Sequence, residues 1–167
     1  QRGTHGCPCG HAGDPNKACV CAPGQVQRYM SKVSGPLLDR IDLHVEVTPV
    51  PFDDLNRDRP AEPSRAVRER VIAARQRQAE RFVDTSTHCN AQMPARDVRR
   101  YCKPNASGLA LLKAAIERLG LSARAHDRVL KVARTIADLD GASGVGAGHI
   151  AEAVQYRSLD RSGWGMA

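Results

Sequence analysis

Cys7-Pro8-Cys9 and Cys19-Val20-Cys21 place four thiols in two Cys-x-Cys pairs with nine residues between them. Four thiolates at this spacing can surround one Zn²⁺ tetrahedrally, and Gly10, Gly13, Asp14 and Pro15 can turn the loop that joins the pairs. A reducing cytoplasm argues against disulfides. The x between the cysteines is one residue rather than the two of the usual knuckle, so free buried thiols, a redox pair and an iron–sulfur cluster stay open beside structural zinc. Cys89 and Cys102 lack any such spacing and read as ordinary thiols, while His5, His11 and His88 are further candidate ligands.

The elements that must hold these groups are uneven. Residues 1–24 are rich in Cys, Gly, Pro and Asp and have no periodicity, so they need a source of order other than a core, and a metal is the obvious one. Gln25 to Val33 has a short helical pattern, broken at Ser34-Gly35-Pro36. Ile41, Leu43, Val45 and Val47 then alternate with Asp42, His44 and Glu46, which predicts a half-buried strand ended by Pro49 and Pro51. One strand is not a sheet, so its partners must come from outside this sequence. Residues 60–82 read as a mostly solvated helix and 84–94 as a polar connection. Three helical stretches follow, at 106–119, 122–139 and 148–158. In the second, Ser122 is the expected N-cap. Its apolar face carries Ala125, Val129, Val132, Ala133, Ile136 and Leu139, and its polar face carries Arg124, Arg128, Lys131, Thr135 and Asp138. Gly141 to Gly148 links to the last helix, and 159–167 reads as a loose tail.

Composition narrows the class. Of 167 residues 41% are hydrophobic but only 4% aromatic, so the core must be aliphatic and mainly helical, not a sandwich or barrel. Lys and Arg number 25 against 18 acidic residues, a net +7 that suits a polyanion partner or simply a basic solvated surface. No run approaches the roughly 18 apolar residues of a membrane span, and residues 1–6 hold no signal-peptide h-region, so a cytoplasmic location is expected. Between Arg96 and Arg134 ten basic residues face three acidic ones, with Tyr101 the one aromatic side chain among them.

Two blocks, together with the cysteines, carry a family resemblance. Ser34-Gly35-Pro36-Leu37-Leu38-Asp39-Arg40-Ile41-Asp42-Leu43 resembles the SGPLLDRID segment of the magnesium-chelatase-like AAA+ ATPases, the family that includes the ComM group. The stretch from Leu121-Ser122-Ala123-Arg124 through Asp127 to Leu139, with Glu152-Ala153 and Tyr156-Arg157, is similar to a second block of that family. Cys7 to Gly10 and the Cys19/Cys21 pair match its cysteine insertion, so the resemblance runs from about Cys7 to Arg161. It implies that Arg40 is an arginine finger directed at the neighbouring subunit's nucleotide and that Arg124 is sensor 2. Elementary chemistry agrees with both, because a guanidinium behind a Gly-Pro turn is a fixed planar fork for phosphate oxygens and a helix first turn already favours an anion. A surface salt bridge with Asp39 or Asp127 is the alternative for each.

There are departures as well. The family carries Asn-Pro before the first cysteines, with the Asn as sensor 1, where this chain has His5-Gly6. No GxxxxGK[ST] occurs in the sequence, nor an apolar strand ending in Asp-Glu.

The resemblance therefore implies the C-terminal portion of such an ATPase, mainly α, with the phosphate-binding loop and Walker B carboxylates expected upstream. Residues 1–50 would end the AAA+ core, with one or two strands, the cysteine zinc loop and the finger turn. A helical connector would span 51–94, a helical lid 95–160 and a tail 161–167. Alone, such a chain is expected not to hydrolyse ATP. In the full-length family ATP and Mg²⁺ are cofactors, zinc on Cys7, Cys9, Cys19 and Cys21 is structural, and the partners are further copies in a hexameric ring and DNA, remodelled by helicase-type branch migration. A zinc-dependent nucleic-acid-binding module without catalysis is the other class to weigh.

Overall fold

The computed structural model describes residues 6–12, 14, 17–38, 40–45, 47, 50, 52 and 61–157. Asp39, most of the proline-rich stretch around 53–60 and the expected tail at 161–167 lie outside the described residues. Among the described residues there are seven α-helices: α1 Pro23–Met30, α2 Gly35–Leu38, α3 Ser64–Arg81, α4 Ala95–Tyr101, α5 Ala106–Leu119, α6 Ala123–Leu139 and α7 Ala147–Gln155, with a 3₁₀ turn at Asn90–Gln92. The chain is mainly helical, as its aliphatic composition requires.

Helix boundaries follow local chemistry. Asn105 caps α5 by accepting from the Gly108 N–H at 2.8 Å, and Gly120 ends it in the left-handed region at φ 60°. Two residues on, the Ser122 hydroxyl accepts from the Ala125 N–H at 3.2 Å and starts α6 as expected. The last helix is displaced slightly from the expected 148–158, and α4 is an addition: Pro94 opens it and Asp97 sits in its first turn.

Helix α6 is the hub. Helices α3, α4 and α7 and the 3₁₀ turn all pack on it, and α5 packs on α7. Val129, Ala133, Ile136 and Ala137 of α6 meet Val98, Cys102, Leu112 and Ile150 in one core, which burial of apolar area stabilises at about 25 cal/mol per Å². The side that α6 turns to α3 is polar instead. Asp138, expected on the solvated face, is fully buried, and Leu139, expected in the core, is 41% exposed. The cause is α3, which is indeed mostly solvated but brings Arg77, Gln78 and Arg81 against α6 in place of an apolar stripe. Arg81 binds Asp138 through two bonds of 2.8 and 2.5 Å, and Asn90 adds another at 2.8 Å. The stretch expected as a polar connection thus contributes buried Thr87, Asn90 and Met93.

The alternating run at 41–47 forms no strand in its described residues. Among the described residues the only β-type pairing is an isolated parallel bridge, Pro104 to Val145. A strand exists only with a ladder partner, and 41–44 spend polar groups on Leu38 of α2, Arg128 of α6 and the two residues after α7 instead.

Candidate functional site

The two thiol pairs meet. The Sγ atoms of Cys7, Cys9, Cys19 and Cys21 all lie within 4.8 Å of one another. The Cys7–Cys9, Cys9–Cys19 and Cys7–Cys19 separations are 3.3, 3.6 and 3.5 Å. A tetrahedral site with metal–sulfur bonds near 2.3 Å has an edge of about 3.8 Å, so the donor set fits one Zn²⁺. Local backbone makes this possible. Gly10 closes the Cys7-Pro8-Cys9 turn with its N–H on the Cys7 carbonyl at 3.1 Å, at a φ of 83° that a residue with a Cβ rarely adopts. The Ala12 N–H points at the Cys7 Sγ at 3.2 Å. At Gly6 a Cβ would meet the Ala12 side chain at 3.0 Å, so glycine lets the two strands of the loop approach.

The thiols do not titrate alike. The His11 backbone N–H, helped by the Cys7 thiol and the Val20 N–H, lowers Cys9 to about 6. For Cys19 the Cys21 backbone N–H works downward, but Cys7, burial and the remaining thiols outweigh it and push the group up to about 12. Crowded sulfurs share one negative charge readily and resist more, which is the condition a divalent cation relieves. Cys102, by contrast, is buried in the helical core, and burial pushes it up to about 12 as an inert thiol. Among the described residues the histidines are not brought into the sulfur cluster; His11 instead faces Asp14 at 3.3 Å.

Arg40 and Arg124 stand apart from the sulfurs. Arg40 follows α2 in a turn where its own N–H bonds the Leu37 carbonyl and that of Ile41 bonds the Leu38 carbonyl, both at 3.0 Å. Its side chain is exposed and has no ion pair among the described residues. Arg124 is the second residue of α6, also exposed, beside backbone N–H groups that have no helical acceptor. Neither is neutralised by Asp127, which faces His126 at 3.0 Å.

Residues that periodicity did not single out surround the Arg40 turn. His44 is buried; its Nε2 donates to the Leu38 carbonyl at 3.2 Å and its backbone N–H to the Tyr156 carbonyl at 2.8 Å. Arg157 donates to the Ile41 carbonyl, and Arg128 of α6 pairs with Asp42. In sequence Asp42 and His44 look like the solvated side of a strand; Asp42 is marked by its place within the SGPLLDRID block, and His44, two residues on, by nothing. Elsewhere in the helical module, Arg96, Arg100, Phe82 and Tyr101 help line a cavity of about 370 Å³.

The described residues thus hold a helical module organised on one hub helix, a four-thiol loop, and two exposed arginines, Arg40 and Arg124, with no ion pair among the described residues. Two family models match it: magnesium chelatase, subunit ChlI, over residues 3–55, and magnesium chelatase, subunit ChlI C-terminal, over residues 61–157. The chain belongs to this magnesium-chelatase-like family, in the ComM group. It is 41% identical over 156 residues both to the uncharacterised protein YifB of Escherichia coli (strain K12) and to the competence protein ComM of Haemophilus influenzae. An uncharacterised protein of Mycobacterium tuberculosis (strain H37Rv) is 36% identical over 151 residues. The first two matches cover 92% of this chain and 29% of each relative, so the chain spans less than a third of their length. No helix among the described residues is long and apolar enough to cross a membrane.

Proposed function

We propose that the chain is the C-terminal portion of a magnesium-chelatase-like AAA+ ATPase that works as an oligomeric ring on DNA, with Arg40 as its arginine finger and Arg124 as sensor 2. The observation that carries this is the Arg40 turn. An exposed guanidinium stands on a loop fixed by backbone hydrogen bonds and by His44, Arg128 and Arg157. Preorganised positive charge of this kind stabilises a transferring phosphoryl group without reorganisation during the reaction. Arg124 acts at the start of α6, where the helix dipole and the free N–H groups add to its charge.

ATP and Mg²⁺ are held by residues outside this sequence, which has no GxxxxGK[ST]. Cys7, Cys9, Cys19 and Cys21 hold a structural Zn²⁺ that orders the segment leading to α1. Exposed Arg96, Arg99, Arg100 and Lys103 on and beside α4 supply phosphate contacts for DNA. The same basic ridge and thiol loop favour a second reading, a zinc-dependent nucleic-acid-binding module with no catalytic role.

Steady-state hydrolysis by the full-length protein containing this chain separates the two. Arg40→Ala and Arg124→Ala should each lower ATP turnover steeply, by about 10³-fold for a finger. Unchanged turnover in both would leave the binding module as the better account.

A further inference from the structure

The turn that carries Arg40 is bound to the helix that carries Arg124. His44 folds back onto Leu38 through its Nε2 at 3.2 Å, so the loop around Arg40 is closed on itself. Three further holds come from α6 and from the two residues that follow α7. The His44 N–H reaches the Tyr156 carbonyl at 2.8 Å, Arg157 reaches the Ile41 carbonyl from a fully buried position, and Arg128 pairs with Asp42. Asp42 is two residues from Arg40, at most about 7 Å of extended chain. Arg128 is one helical turn from Arg124, about 6 Å along the α6 axis. The ion pair therefore ties together the neighbours of both arginines, across 86 residues of sequence.

We propose that Asp42, His44, Arg128 and Arg157 are positioning residues that join the finger turn to the sensor helix, so that Arg40 and Arg124 are set as one unit. This rests on the roles proposed above for the two arginines. A nucleotide that draws α6 through Arg124 then also shifts Arg40, and the finger offered to one site reports the occupancy of another. The Asp42–Arg128 pair is the useful handle. Both side chains are partly exposed, and such a pair contributes little to folding, whereas Arg157 is buried among polar partners and its loss would disturb the whole module.

The experiment compares Asp42→Arg, Arg128→Asp and the double exchange in the full-length protein, with Arg40→Ala and Arg124→Ala alongside. Each single exchange should lower kcat between about tenfold and a hundredfold, the scale of a misplaced catalytic group, with KM for ATP little changed. The double exchange, which restores an opposite pair, should recover most of kcat. Loss of turnover in both alanine variants with wild-type kcat in the single exchanges would overturn the positioning roles and leave the arginine roles intact. Failure of the double exchange to recover would do the same. So would a kcat loss that merely follows a drop in folded protein, measured by melting each variant, with kcat per folded chain unchanged. Unchanged turnover in both alanine variants would instead remove the arginine roles and this inference with them.

Discussion

Asp138→Ala should destabilise this chain more than any other charge removal on α6. The carboxylate is 0% exposed. It accepts from Arg81 at 2.8 and 2.5 Å, from Asn90 at 2.8 Å and from the Nε of Arg134 at 3.2 Å. Arg134 is itself only 3% exposed. Alanine would leave the covered guanidinium groups of Arg81 and Arg134 without a carboxylate, with only Asn90 Oδ1 and the Ala142 and Ser143 carbonyls as acceptors. Removing one partner of a buried pair costs about 3–5 kcal/mol. Against a total stability of about 5–15 kcal/mol, and at roughly 2–4 °C per kcal/mol for a chain of this size, melting should fall by roughly 6–20 °C. The control is Arg65→Ala, which breaks a solvent-exposed pair with Glu69 on α3 and should cost no more than about 0.5 kcal/mol.

Urea unfolding followed by circular dichroism measures both. The pH dependence adds a second readout. Burial works to raise the Asp138 carboxyl, but hydrogen bonds from Arg81 and Asn90 and the charge of Arg134 outweigh it and hold the group below the usual carboxylate range. A depressed native value means that Asp138 contributes its stability above the unfolded value, near pH 4. That contribution is lost as pH falls below about 4 and through the native value. Asp138→Ala should thus flatten the acid side of the stability curve. A cost below about 1 kcal/mol, or an unchanged acid limb, would refute the view that this network carries the α3–α6 contact.

Protein purified without a metal-binding tag should hold about one Zn²⁺ per chain, and Cys9→Ala should abolish it; less than about 0.2 per chain in the unmutated protein, with four rapidly reacting thiols, would exclude the site. This chain alone should release no phosphate from ATP, because the sequence has neither the phosphate-binding loop nor its Lys; activity that survives extensive purification would contradict that. Binding of duplex DNA should be indifferent to sequence and should weaken by roughly 10³-fold between 50 and 200 mM salt if six or more phosphates are contacted. A titration with little salt dependence would remove the electrostatic account.

What could be read from the sequence was what lies close along the chain. The thiol cluster depends on residues within 14 positions of Cys7, and the CPCG turn with its left-handed Gly10 is local chemistry. Helix α6 announced itself through Ser122, and Asn105 and Gly120 bound α5 in the same local way, since such capping needs only neighbours. Helix α4 escaped because seven residues are too few for a period, leaving Pro94 and Asp97 as the only signs. Asp138 was placed on the wrong side of α6 for a different reason. Periodicity sends a charged residue to solvent by default, and nothing near Asp138 shows that Arg81 arrives from 57 residues away to cover it.

The run after Arg40 shows the same principle in reverse. Alternation of Ile41, Leu43, Val45 and Val47 with Asp42 and His44 is a two-faced pattern, and the usual inference buries the apolar face. Here His44 is 6% exposed while Leu43 is 49% and Val47 86% exposed. Among the described residues the Tyr156 carbonyl accepts the His44 N–H and Arg157 donates to the Ile41 carbonyl, which takes up backbone groups a ladder would otherwise have used, while Arg128 pairs with the Asp42 side chain. An alternating run therefore encodes two contacts, one per face. Which face is buried depends on which partner is present, and the residues that hold this run, Arg128 of α6 with Tyr156 and Arg157 after α7, are the ones that fix where Arg40 stands.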